Sequence, residues 1–118
     1  MFASRLTPSL ALAAAISAAA PAAPSLAQAA DPTTVTLTIK DHRFTPSEIH
    51  VPAGTPVTLV IRNEDSNAEE IDSPQLKIEK IIAGGKEVSL TLRPLEKGAY
   101  PFVGEYHEDS AKGTLVAD

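Results

Sequence analysis

The stretch YPFVGEYHEDSAKGTL, residues 100–115, decides how this chain reads. It runs from an apolar, strand-like segment ending at Val103, through a loop carrying Glu105, His107, Glu108 and Asp109, to Gly113 and a second short strand-like segment. Fixed strand ends can hold nitrogen and oxygen donors convergent, so imidazole and carboxylates gathered in such a loop are candidates for a metal site. The same residues also read as a solvated acidic hairpin tip. The stretch alone leaves both readings open.

Working outward, the rest of the chain supplies strands of the same kind. Val35, Leu37 and Ile39 alternate with threonines and Lys40, which predicts a half-buried strand rich in β-branched residues. Ile49 and Val51 repeat the alternation, and Pro52-Ala53-Gly54 makes a turn. The run PVTLVIR, residues 56–62, is more continuously apolar, as a sandwich-interior strand is. Residues 63–68 read as a polar loop. Leu76, Ile78, Ile81 and Ile82 fit either a strand or an irregular segment, and Gly84-Gly85 breaks it. Val88, Leu90 and Leu92 then alternate cleanly. No sustained helical period follows residue 30, and turns recur about every ten residues. The prediction is all-β: a small antiparallel sandwich of roughly seven or eight strands.

The N-terminal quarter differs in kind. Arg5 precedes an Ala-rich apolar run, and Ala27-Gln28-Ala29 has the form of a signal-peptidase site, so residues 1–29 are expected to be a signal peptide removed after Ala29. Pro21 and Pro24 interrupt the run before the ~20 residues that span a bilayer, which argues against membrane insertion of the mature form. Residues 30–118 are then a single exported domain, with the periplasm as its expected location.

Composition narrows the chemistry. The formal net charge is −5, and loss of Arg5 makes it −6, a sign that disfavours nucleic acid and anionic membranes and suits cations. Cysteine is absent and the only methionine is Met1, so a metal site in the mature domain has no sulfur ligand. Two acidic groups stand out: Glu64, Asp65, Glu69, Glu70 and Asp72, and Glu105, Glu108 and Asp109 around His107. Bound cations relieve the repulsion within such groups; solubility is the competing explanation. His42 precedes Phe44 in a loop and reads equally as ligand or surface residue, whereas His50, between Ile49 and Val51, should face away from the core. Phe44, Tyr100 and Phe102 read as core. Templates for serine hydrolases, phosphate loops and zinc proteases are not met, and without Trp there is little sugar-binding surface.

Taken in order, Phe44-x-Pro46-x-x-Ile49-x-Val51-x-x-Gly54, Val57 through Asn63-x-Asp65, Gly98-x-Tyr100-x-Phe102 and Lys112-Gly113-Thr114-Leu115-Val116 resemble the cupredoxin domain over residues 35–117. The resemblance implies a Greek-key β-sandwich with a metal site at one end, between the loop after Asn63 and the loop after Phe102. In blue-copper members the first loop supplies a His and the second a Cys, a His and a Met. Those slots fall here on Glu69, Gly104, His107 and either Ala111 or Ser110, so only His107 is retained. Type 1 copper requires the missing thiolate and is excluded. The blocks NEDSNAEE and GEYHED are similar to Cys-poor cupredoxin-like proteins that accompany bacterial iron-permease uptake systems.

Carboxylates in place of sulfur favour harder ions and stabilise Fe³⁺ over Fe²⁺, while His and carboxylate also bind Cu²⁺. The expected function is therefore binding and oxidation of ferrous iron, or hand-over of ferric iron, for an inner-membrane iron permease. His107 and Glu69 are the expected ligands, with Glu105, Glu108 and Glu70 as ligands or cation-attracting neighbours and Asp109 and Asp72 further out. The alternatives are a copper-binding module or chaperone using His107 with His42 or His50, and a metal-free acidic adaptor.

Overall fold

The computed structural model describes residues 32–118 and the single residue 15. The expected signal peptide and its cleavage after Ala29 lie, residue 15 aside, outside the described residues. Nine strands follow in order: β1 (Thr33–Lys40), β2 (Arg43–Thr45), β3 (Glu48–Val51), β4 (Val57–Asn63), β5 (Glu69–Ser73), β6 (Ile78–Ile82), β7 (Glu87–Leu92), β8 (Gly98–Gly104) and β9 (Lys112–Ala117). A 3-10 turn, Glu105–His107, follows β8. The strands form two sheets, β2-β1-β4-β7 and β3-β9-β8-β5-β6, packed as a sandwich. Among the described residues no helix is long and apolar enough to cross a membrane.

Alternation builds the core. Leu37 and Ile39 of β1 point inward beside Ile61 and Asn63 of β4, their register partners. From the other sheet come Ile71, Ile82, Phe102 and Leu115, all buried. Each such side chain contributes about 1.5–3 kcal/mol on burial, which is how a domain without disulfides holds together. Phe44 meets Phe102 edge to face with centroids 5.0 Å apart. A Cβ at Gly113 would lie 2.3 Å from the Phe102 ring, so glycine there lets β9 close over that aromatic pair.

The expectation of a purely antiparallel sandwich is corrected: β1 pairs β4 in parallel and β3 pairs β9 in parallel, one such pair in each sheet. Two strands were not expected. β2 is only three residues long, joined to β1 by the two-residue turn Asp41-His42. β5 follows directly on the polar loop of residues 63–68, carries no strand signal of its own in the sequence, and lies inside its sheet between β8 and β6. Its outward residues are Glu70 and Asp72, and its inward ones are Glu69, Ile71 and Ser73. A carboxylate and a hydroxyl at two of three inward positions erase the apolar alternation by which strands are recognised. The ambiguous segment after Pro74 resolves as β6, with Ile78 and Ile82 buried and Ile81 exposed.

Candidate metal centre

Register sets the centre of the site. Ile71 of β5 pairs with Gly104, the last residue of β8, so Glu69 two residues earlier comes alongside the 3-10 turn that follows β8. Glu69 is 1 % exposed. Its Oε1 accepts the backbone N–H groups of Tyr106 at 3.0 Å and Glu70 at 3.1 Å, and its Oε2 lies 2.5 Å from Nδ1 of His107. One carboxylate oxygen is thus anchored to backbone, and the other is hydrogen-bonded to an imidazole nitrogen. His107 is fixed in turn, because its carbonyl accepts the N–H groups of Ser110 and Ala111 at 3.1 and 2.8 Å.

Gly104 explains how a carboxylate fits here. A Cβ at this position would lie 2.7 Å from Cδ and 2.8 Å from Oε1 of Glu69, and 2.6 Å from Cβ of Ala111. The space into which a side chain at position 104 would begin is taken by the Glu69 carboxylate. The residues therefore do not fit a type 1 copper ion: the thiolate is missing, and its position is filled.

Three loops meet at this end. The β1–β2 turn carries Asp41 and His42 with φ of +51° and +56°, the left-handed conformation of a tight hairpin that Asp and His tolerate better than most residues. Asp65, in the β4–β5 loop, accepts both of their N–H groups, Oδ1 from Asp41 at 2.8 Å and Oδ2 from His42 at 2.9 Å. The His42 N–H is the foremost cause that holds the Asp65 carboxyl below its ordinary range, with the Asp41 N–H adding to it. Asp65 is itself fixed by buried Asn63, whose Oδ1 accepts the Asp65 N–H while its Nδ2 donates to the carbonyls of Asn67 and Ile82. From the third loop, Ser110 Oγ donates to the His42 carbonyl at 2.6 Å. The His42 ring stacks on His107 with centroids 3.5 Å apart and an interplanar angle of 15°.

The expected site residues therefore separate into groups. Glu69, His107 and His42 come together at the end of the sandwich. Glu70, Asp72 and Glu105 form a different cluster, because alternate residues of β5 face opposite ways. Asp72 stands opposite Glu79 across the β5–β6 pair. Burial first, then the charges of Glu70 and Asp72, raise the Glu105 carboxyl above its ordinary value. Burial and then Glu70 do the same to the Tyr106 hydroxyl. Glu108 and Asp109 line a shallow, open depression with residues 105–110. His50 lies elsewhere, bonded to Asp118 and Glu48. Among the described residues no three His, Asp or Glu side chains converge into a ready-made metal cage. Glu69 and His107 bond each other directly, Oε2 to Nδ1, at the centre of this end of the sandwich.

In the sequence Asp65 stands out as one acid of a cluster and as part of the Asn63-x-Asp65 motif, and Ser110 as a candidate for the Met slot; neither points to His42. Their role in fixing His42 was detectable in one signal: two alternating strands separated by Asp-His, which demands a two-residue turn and hence partners for its N–H groups.

The cupredoxin-like domain model matches residues 9–117. An uncharacterised protein of Rickettsia prowazekii is 38% identical over 84 residues, covering 71% of this chain and 67% of that protein. Among solved structures, auracyanin A, a blue copper protein of Chloroflexus aurantiacus, superposes with a TM-score of 0.64 at 18% identity, over 74% of this chain and 99% of its own. The metal-binding domain of the Cu(I)-exporting ATPase CopA of Streptococcus pneumoniae gives 0.61 at 17% identity, over 72% of this chain and 84% of its own. The anticipated Greek-key sandwich and its end-on loops are those of this fold, and the chain belongs to the cupredoxin-like domain family.

Proposed function

We propose that this domain is an exported metal-binding module in which a transition-metal cation replaces the hydrogen-bonding proton between Glu69 and His107. The observation that carries the reading is the buried carboxylate oxygen facing Nδ1 of His107 at 2.5 Å in the ligand loop of a cupredoxin-like fold. Binding would release that proton, as is usual where metal and proton compete for the same donors. Ferrous iron is the proposed cargo: an anionic oxygen ligand stabilises Fe³⁺ over Fe²⁺ and so favours loss of one electron, to dioxygen or to a resident copper ion. The ferric product would pass to an inner-membrane permease, the acidic groups at this end of the domain holding cations near the site.

A second reading, a copper-holding module without turnover, draws on the copper proteins that share the fold and on the imidazole of His42 beside that of His107. Anaerobic loading with Fe²⁺ followed by oxygen separates the two. Under the iron reading the wild type consumes ferrous iron well above background and His107→Ala falls to background. Equal background rates in both, with tight Cu²⁺ binding by the wild type alone, would move the assignment to copper.

A further inference from the structure

We propose that His42 is a third ligand of the Glu69–His107 centre, carried next to it on a clamped turn. The proposal rests on the metal reading of Glu69 and His107 and adds to it a residue from a loop outside the two that carry the ligand slots of blue-copper relatives.

The first observation is the backbone. Asp41 and His42 both hold positive φ, a conformation that persists in non-glycine residues only when the surroundings over-determine it. They are over-determined here. The Asp65 carboxylate accepts both N–H groups and the Ser110 hydroxyl donates to the His42 carbonyl, three hydrogen bonds between 2.6 and 2.9 Å. The clamping groups come from the loop that precedes Glu69 and the loop that contains His107. The turn is therefore tied to the same two segments that set the pair.

The second observation is the ring. Each of the other two histidines has a ring nitrogen bonded to a carboxylate: His107 to Glu69, and His50 to Asp118 and Glu48. Among the described residues the ring nitrogens of His42 have no such partner, although the ring centroid is 3.5 Å from that of His107. Transition-metal sites built from nitrogen and oxygen generally take three or more protein ligands, and Glu69 with His107 supplies two. His42 brings a nitrogen donor without such a partner into ring contact with His107.

Stacking constrains how it could serve. Imidazole lone pairs lie in the ring plane, so two rings stacked at 15° do not direct them at one point. Ligation by His42 therefore requires its side-chain torsions to open the stack, while the clamped backbone keeps the ring within reach. The competing role is a cover, in which the stacked ring shields the pair and never binds.

Two substitutions distinguish ligand from cover. His42→Phe keeps a ring to stack but has no nitrogen, and His42→Asn tolerates positive φ but has no ring. Thermal melts establish that each folds, and Cu²⁺ alone is the probe, followed by calorimetry and by electron spin-echo spectroscopy that counts coordinated imidazoles. The expected result is two imidazoles in the wild type, one in either variant, and affinity at least tenfold weaker in both. If His42→Phe binds as tightly as wild type with an unchanged imidazole count while His42→Asn is weakened, the ring is a cover and the proposal is overturned with the Glu69–His107 reading intact. If Glu69→Ala/His107→Ala binds Cu²⁺ like wild type, that reading fails and takes this proposal with it.

Discussion

His107 meets Glu69 with their side chains 26 % and 2 % exposed, whereas His50 meets Glu48 and Asp118 with all three more than half exposed. Both are imidazole–carboxylate contacts, and a sequence records them with the same letters. What separates them is the anchoring of the carboxylate. Glu69 spends one oxygen on two backbone N–H groups and presents the other in a fixed direction. The carboxylates around His50 are exposed side chains in water, where opposite charges gain little from meeting. Preorganisation, more than the residue types, makes the first pair a candidate centre and leaves the second a surface cluster.

The sharpest way to break this comparison is to remove one carboxylate from each. Glu69→Ala leaves an imidazole and two part-buried N–H groups without their acceptor, a loss of about 1–3 kcal/mol. Glu48→Ala should leave the urea midpoint unchanged within error. Similar midpoints for the two variants would mean that Glu69 is not anchored as described. Glu69→Gln, which keeps an acceptor of the same shape, should recover much of the loss.

How much of this was legible in the sequence differs by region. The alternation of β1 and β7 was read directly, because one face of each is apolar and the other polar, and β4 was read from its more continuous apolar run. The segment around His107 was read as a loop between two strands, and it lies between β8 and β9. β5 was hidden by the residue that matters most: an inward Glu69 beside outward Glu70 looks like a run of surface acid, and only pairing with β8 shows that the two face opposite ways. The grouping of Glu105 with Glu70 and Asp72, apart from Glu69, follows from the same pleat and could not be read without it. His42 is a milder case. In the sequence it reads only as a loop residue before Phe44; its turn appears with β2, and its stack on His107 goes with bonds to Asp65 and Ser110, 23 and 68 residues away from it in the chain.

That clamp provides a test of intermediate size. The Asp65 carboxyl is held below its ordinary value, so its contribution to stability is present above the ordinary carboxylate range and is lost as pH falls through the folded value. Denaturant midpoints taken downward from about pH 5 should fall less steeply in Asp65→Asn than in wild type. Parallel acid limbs would remove Asp65 from the account of the turn.

The smallest expected effect belongs to His50. Its hydrogen bond to Asp118, and secondarily that to Glu48, raises the imidazole above its ordinary value of 6.5. A raised folded value works in the opposite sense to Asp65. The stabilisation is fully present below the unfolded value and disappears as pH rises through the folded one. Because the whole cluster is exposed, the change should be slight, visible as a shallow decline of the midpoint on the neutral-to-alkaline side. His50→Gln should flatten that decline and leave Cu²⁺ affinity untouched, since His50 takes no part in the centre. A His50→Gln variant that lost metal binding would show that exposed and anchored pairs serve the same site, and the distinction between the two regions would fall.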